Sequence, residues 1–227
     1  MTSPATIEAK VKRFPLIVFD WDGTLMDSPR TIVLAIQNAC RDLGLEVPDD
    51  ARASHVIGLG LHDALQYAVP GLPLSVYGKM VERYRHHYLA SDAAIPLYPG
   101  TEAMLARLQA SGHVLAVATG KSTAGLERVL AATGLSVYFA AYRCADKTAS
   151  KPAPDMLHEL MEELDARAEE TLMIGDTSHD LLMAQHAGVA AVGVTHGAHP
   201  AEELRALMPL ACVDSTAELE QWLLLNA

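Results

Sequence analysis

Leu16-Ile17-Val18-Phe19 is an unbroken apolar run that ends on Asp20-Trp21-Asp22-Gly23-Thr24. No other junction in the chain constrains the fold as tightly. A continuous, partly β-branched run describes a strand buried on both faces, not one with a wet side. Such strands belong to parallel sheets covered by helices, where ligands gather at the carboxyl ends of the strands. Asp20 and Asp22 fall at that end, and Gly23 lets the chain turn away at once. The same residues also describe a plain strand and Asp-Gly turn, with the carboxylates spent on backbone donors.

The rest of the chain has two textures. Ser28 to Ile95 reads as helical throughout. Asp27 or Ser28 with Pro29 makes a helix start, Ile32, Ile36, Ala39 and Leu43 follow at helical spacing, and Gly44 closes the segment. A second helical stripe carries Tyr77, Met80, Tyr84 and Tyr88. Beyond Tyr98-Pro99-Gly100 strands and helices alternate. Val114–Ala118, Leu172–Ile174, Ala191–Val194 and Ala211–Val213 read as strands, and Ser122–Ala132 and Asp155–Leu164 as helices. Alternation of this kind predicts an α/β fold, a Rossmann-like three-layer parallel sheet with helices on both faces. The helical block interrupts it after the first strand. The expected organisation is therefore a core of residues 1–27 and 96–227 with an inserted α-helical cap, 28–95, above the carboxyl edge.

Charge narrows the partners. Seventeen basic against 28 acidic side chains give a net charge of −11, which argues against nucleic acid and against anionic membranes. An anionic substrate then needs a local device to attract it, a metal or a few placed cations. Cys40, Cys144 and Cys212 are odd in number and far apart, as expected of small buried hydrophobes in a reducing compartment. No apolar run approaches the ~20 residues of a membrane span, and Met1 to Arg13 has no apolar signal core. Together these place the protein in the cytoplasm, with no membrane partner.

Three later segments repeat the pattern of chemistry at a strand's end. Thr119-Gly120-Lys121 offers a hydroxyl and free backbone donors that suit a phosphate oxygen, although Thr119 could equally cap the next helix. In Lys151-Pro152-Ala153-Pro154-Asp155 each proline extends the residue before it, keeping Lys151 out of a helix, and Asp155 is expected to cap the one that follows. Lys151 reads as a positioned cation or as an ordinary solvated lysine. Gly175-Asp176-Thr177-Ser178-His179-Asp180 puts Asp176 at a strand end and Asp180 in the first turn of a helix. Gathered at one edge, Asp20, Asp22, Asp176 and Asp180 would repel one another unless a cation joined them. Hard oxygen ligands with room for water and phosphate favour Mg²⁺.

In this order the four segments resemble the signature motifs of the haloacid dehalogenase superfamily of phosphohydrolases, and the helical block resembles the small cap of its phosphoglycolate phosphatase-like branch. The resemblance implies a Mg²⁺-dependent phosphatase of a small phosphorylated metabolite, working through an aspartyl-phosphate as a monomer or homodimer. It implies Asp20 as nucleophile, Asp22 as general acid and base, Thr119 and the Gly120 amide as phosphoryl ligands, and Lys151 as the neutralising cation. Asp20, the Asp22 carbonyl and Asp176 would hold the metal, backed by Asp180. The cap would hinge near Met26–Ser28 and Leu97–Gly100.

Two features depart from that branch. Its members often resemble Thr-Asn-Lys where this chain has Gly120, and a polar residue often stands where this chain has Leu59, which weakens the case for glycolate. Gly58-Leu59-Gly60-Leu61-His62 resembles the cap loop that faces the site, so Gly58, Leu59 and His62 are candidate substrate contacts. Arg52, His55, Lys79 and Arg83 are further candidates for reading a carboxylate, with a solvated cap surface as the ordinary alternative. His86-His87 point about 100° apart on a helix and read as surface residues. A β-phosphoglucomutase-like phosphosugar mutase shares the cap and both aspartates, and a catalytically silent binding protein is the remaining alternative. A dehalogenase is disfavoured because it needs no second acid such as Asp22.

Overall fold

The computed structural model describes residues 12–92 and 95–227. Residues 1–11, part of the segment read as lacking a signal core, lie outside the described residues, as do 93–94 within the expected cap.

Leu16–Phe19 forms strand β1, and all four side chains are buried, as a strand covered on both faces requires. Ile17 and Phe19 face one helical layer while Leu16 and Val18 face the other. The chain then runs through α1 (Pro29–Asp42), α2 (Asp50–His55), α3 (Leu61–Ala68) and α4 (Leu74–Asp92) without a strand. It continues as α5 (Thr101–Ala110), β2 (Val114–Thr119), α6 (Thr123–Thr133), β3 (Ala141–Cys144), α7 (Asp155–Glu163) and β4 (Thr171–Gly175). α8 (Ser178–His186), β5 (Ala190–Val194), α9 (Ala201–Ala206), β6 (Ala211–Val213) and α10 (Thr216–Asn226) complete it. The strands form one parallel six-stranded sheet in the order β3-β2-β1-β4-β5-β6.

Two apolar cores sandwich the sheet. α5, α6 and α10 supply Leu105, Leu126 and Leu219 to one face, and α7, α8 and α9 supply Leu157, Leu181 and Leu204 to the other. A third cluster, with Ile36, Ala39, Leu65 and Met80, lies within the four inserted helices. The chain enters and leaves that block through paired segments. Met26 bridges Leu97, and the Asp27 and Tyr98 amides donate to the Pro96 and Leu25 carbonyls.

One local expectation needs correction, and two features go beyond the sequence pattern. β3 is a strand that the sequence pattern does not show: it is short, lies at the sheet edge, and carries Arg143, whose guanidinium bonds Glu159 and Glu163 on α7. Asp155 does not cap α7 but is its first residue, with Pro154 at the cap position and no side-chain cap bond. Ser28 occupies the N-cap of α1 without capping it; its hydroxyl is spent elsewhere. Cys40 and Cys144 are buried, and burial pushes both thiols up to about 11, which leaves them as inert apolar groups. Among the described residues no helix is long and apolar enough to cross a membrane.

Candidate active site

The sheet order decides where the polar residues meet. β2, β1 and β4 are neighbours, and the strand order reverses between β1 and β4, the position where an open parallel sheet leaves a crevice at its carboxyl edge. Thr119 is the last residue of β2, Asp20 follows β1 and Asp176 follows β4. The Asp20 amide still donates to the Ile174 carbonyl at 2.8 Å, so Asp20 sits at the end of the ladder with no slack in its backbone.

Asp20, Asp176 and Asp180 are all fully buried, and each places a carboxylate oxygen within 4.8 Å of the others. Lys151, 2% exposed, is the cation among them: its Nζ donates to Asp20 Oδ1 at 2.5 Å and to Asp180 Oδ1 at 2.6 Å. The solvated-lysine alternative is therefore excluded by burial. Asp180 is spent entirely on the protein, since its Oδ2 also accepts from the Thr177 amide and hydroxyl in a capping box at the start of α8. Asp176 accepts from Thr24 Oγ1 and from the Ala198 amide, both at 2.7 Å. Gly23, at φ +87°, is required here, because a Cβ would lie 2.2 Å from Asp176 Oδ2. Asp20 Oδ2 is buried with no hydrogen-bond partner among the described residues.

One lysine does not balance three buried carboxylates. Burial, partly offset by Lys151, holds Asp20 well above the usual carboxylate range. Burial and then Asp180 push Asp176 up to about 7. Burial alone would lower Lys151, but Asp180 and Asp20 outweigh it and raise it. The two sides of the Lys151–Asp20 pair thus move in opposite senses, and the physical resolution is that the lysine stays cationic while the pocket lacks positive charge. An orphaned buried oxygen beside surplus carboxylate is a site that fits a hard divalent cation.

Asp22, also buried, faces another way. Its Oδ1 accepts from Ser28 Oγ at 2.6 Å and lies 2.9 Å from Lys121 Nζ. Lys121 in turn donates to the Tyr88 hydroxyl at 2.9 Å, tying α4 to the residue after Gly120. Sequence reasoning quotes Lys121 but assigns it no part; its place in Thr-Gly-Lys at a strand end was the available signal. Thr119 is not the cap of α6, a role taken by Ser122; its Oγ1 accepts from the Lys121 amide.

The loop after α2 closes over this edge. Gly60 N donates to Ser150 Oγ beside Lys151, and a Cβ at Gly120 would lie 2.4 Å from the Leu59 carbonyl oxygen. Glycine at position 120 is thus what admits the loop. His55 belongs to a second contact. Its carbonyl accepts from His179 Nε2 at 2.7 Å and from His199 Nε2 at 3.1 Å, while the Ser178 amide donates to His199 Nδ1. Both nitrogens of His199 are engaged by backbone, which fixes the neutral tautomer, and burial lowers its pKa to about 4. The His179 and His199 rings thus hold the end of α2 through the His55 carbonyl, and the His55 ring stacks on His199.

Beneath the loop lies a cavity of about 590 Å³ that reaches Asp22, Gly120 and Lys121 and is lined by Gly58, Leu59 and His62. Of the other cap candidates, Arg52 and His55 line a different cavity, Arg83 pairs with Asp42, and Lys79 is exposed. Arg85 and Arg128, which the sequence reading does not single out, line the cavity instead.

The model of the haloacid dehalogenase-like hydrolase family matches residues 17–194, most of the chain. The chain belongs to this family. A Dickeya dadantii protein named "Probable phosphatase IndB" is 40% identical, covering 90% of this chain and 91% of its own. A phosphoglycolate phosphatase of Yersinia pestis is 31% identical over 92% of this chain and 93% of its own. The crystal structure of a "predicted phosphatase" from Clostridium acetobutylicum superposes with a TM-score of 0.82 at 27% identity, covering 94% of this chain and 99% of that one. This haloacid dehalogenase-like hydrolase is a phosphoric monoester hydrolase, as the motifs imply.

Proposed function

We propose that the protein is a Mg²⁺-dependent phosphatase of a small phosphorylated metabolite, with residues 28–95 as its cap, acting through a phosphoryl group carried on Asp20. The observation that supports this most is the asymmetry of Asp20, with Oδ1 held by Lys151 and Oδ2 buried without a partner. A fully buried carboxylate with one oxygen left over costs stability, and that oxygen, open to a metal or to phosphorus, supports a functional role for Asp20.

Asp20, the Asp22 carbonyl and Asp176 would hold the metal, with Asp180 fixing Lys151 behind them. Bound Mg²⁺ would neutralise the carboxylates and the phosphoryl oxygens. Thr119, at the end of β2 beside β1, and the Gly120 amide would bind those oxygens, and Lys151 would share their charge. Asp20 attacks phosphorus, an O–P bond forms, and the ester P–O bond breaks. Asp22 gives its proton to the leaving alkoxide and then takes one from water. That water attacks phosphorus, breaks the bond to Asp20 and releases inorganic phosphate. Gly58, Leu59 and His62 would contact the alcohol portion, since they line the cavity above.

Acid-quenched enzyme should carry phosphate on Asp20 alone. Asp20→Asn, nearly isosteric, should remove both label and turnover while leaving the circular dichroism spectrum unchanged. Label on a serine or histidine would refute the mechanism.

A further inference from the structure

The cavity above Asp22 has walls that match one kind of ligand. Ile36 of α1 and Leu61 of α3 line it together with Tyr77, Val81, Tyr84 and Tyr88, which follow at helical spacing on α4. The Tyr84 and Tyr88 rings stack with centroids 6.0 Å apart and planes inclined by 27°. His62 packs edge-on against Tyr77. At about 590 Å³ the space lies in the range that buries a ligand of ring-bearing size. A two-carbon acid would leave most of these apolar walls against water. Leu59 adds an apolar side chain to the lining.

The charged groups of the lining are Asp22, Lys121, Arg85, Arg128 and Asp146, with His62 and Ser122 as further polar side chains. Lys121 and Asp22 are paired at the floor, beside the reacting centre. Arg85 and Arg128 are exposed as well as lining the cavity, so they mark its mouth. Most of the remaining lining is apolar or aromatic, and Lys121 Nζ lies 4.9 Å from the centroid of the Tyr88 ring. Flat ligand rings are held by such surfaces through offset stacking as well as by area.

We propose that this cavity selects monophosphate esters whose alcohol carries a planar ring, the ring lying along the Tyr84–Tyr88 face while the phosphoryl group reaches Asp20. The proposal rests on the phosphatase reading above. The reaction is unchanged: ester and water give the ring-bearing alcohol and inorganic phosphate. Selection comes from burying the ring, and the exposed Arg85, Arg128 and Asp146 favour rings with a further polar substituent directed to the mouth.

The test compares benzyl phosphate with ethyl phosphate and phosphoglycolate, using the full-length protein with Mg²⁺ and measuring phosphate release. The two neutral alcohols are similarly poor leaving groups, so their kcat/KM ratio reads the ring. Benzyl phosphate should be favoured over ethyl phosphate by about tenfold or more, the value of burying a ring-sized apolar surface. Tyr84→Ala should bring that ratio towards one, and Tyr84→Phe should retain it. Equal or better hydrolysis of ethyl phosphate or phosphoglycolate by the wild-type protein overturns the ring preference and leaves the phosphatase reading standing. No phosphate from any of the three esters overturns that reading and this inference with it. The wild-type ratio decides the matter even if the alanine variant does not fold.

Discussion

Asp20 and Asp176 carry the energetic tension of the site. Both are buried beside Asp180, with Lys151 as their cation, and Asp176 is pushed up to about 7. A carboxyl raised in this way holds a proton that a metal must displace, so binding releases protons and strengthens as pH rises. Apparent Mg²⁺ affinity should therefore be roughly tenfold higher at pH 8 than at pH 6, the loss expected when one group titrating near 7 must ionise. Calorimetric titration at both pH values checks this; an affinity that does not change with pH would remove Asp176 from the metal site. Lys151 was legible from its Pro-x-Pro frame as a residue held out of a helix. Its complete burial and its shared bonds to Asp20 and Asp180 were not, because those partners are 131 and 29 positions away.

At the scale of elements, the loop after α2 and the turn after β2 are fitted to each other. The Leu59 and Gly58 carbonyls lie where a side chain on residue 120 would stand. Gly120→Asn, which places the residue common in the phosphoglycolate phosphatase branch at this position, should push the loop outward. kcat/KM on the best substrate should fall about 10- to 100-fold, the cost of misplacing a closing element by around an ångström, with the circular dichroism spectrum unchanged. Steady-state kinetics that match the wild type would mean the loop does not seat there during turnover. The departure at Gly120 was visible in the sequence, but its reason was not. Only the folded chain shows that the missing amide is exchanged for close approach of the loop. The stripe of α4 divides in a similar way: Met80 lies wholly in the core of the inserted helices, Tyr88 belongs to that core and also lines the cavity, and Tyr77 and Tyr84 are partly buried between the two. Periodicity put them on one stripe, and tertiary packing chose which of them face a ligand.

Across the whole molecule, several histidines are kept neutral by burial. His113, His196 and His199 all have lowered pKa values, His199 to about 4, because the interior disfavours their charged form. In the unfolded chain they titrate near 6.5. Below that pH the unfolded state binds more protons than the folded one, so stability falls as pH drops from about 6.5 towards about 4. At saturating Mg²⁺ the urea midpoint should decline steadily across that window; a flat profile would show that these imidazoles are not held neutral. By itself the sequence determined the α/β alternation, the helical insertion and the four polar segments at strand ends. Each of these rests on local chemistry: continuous apolar runs, prolines and glycines at turns, carboxylates that follow a strand at once. Tertiary structure alone decided that β2, β1 and β4 are neighbours, that β3 joins the edge, that Lys121 links Tyr88 to Asp22, and that His179 and His199 grip the His55 carbonyl. The two bonds to the His55 carbonyl join residues 124 and 144 positions apart. Nothing in the periodicity of either partner specifies the other, so burial and hydrogen-bond satisfaction in the folded chain select them.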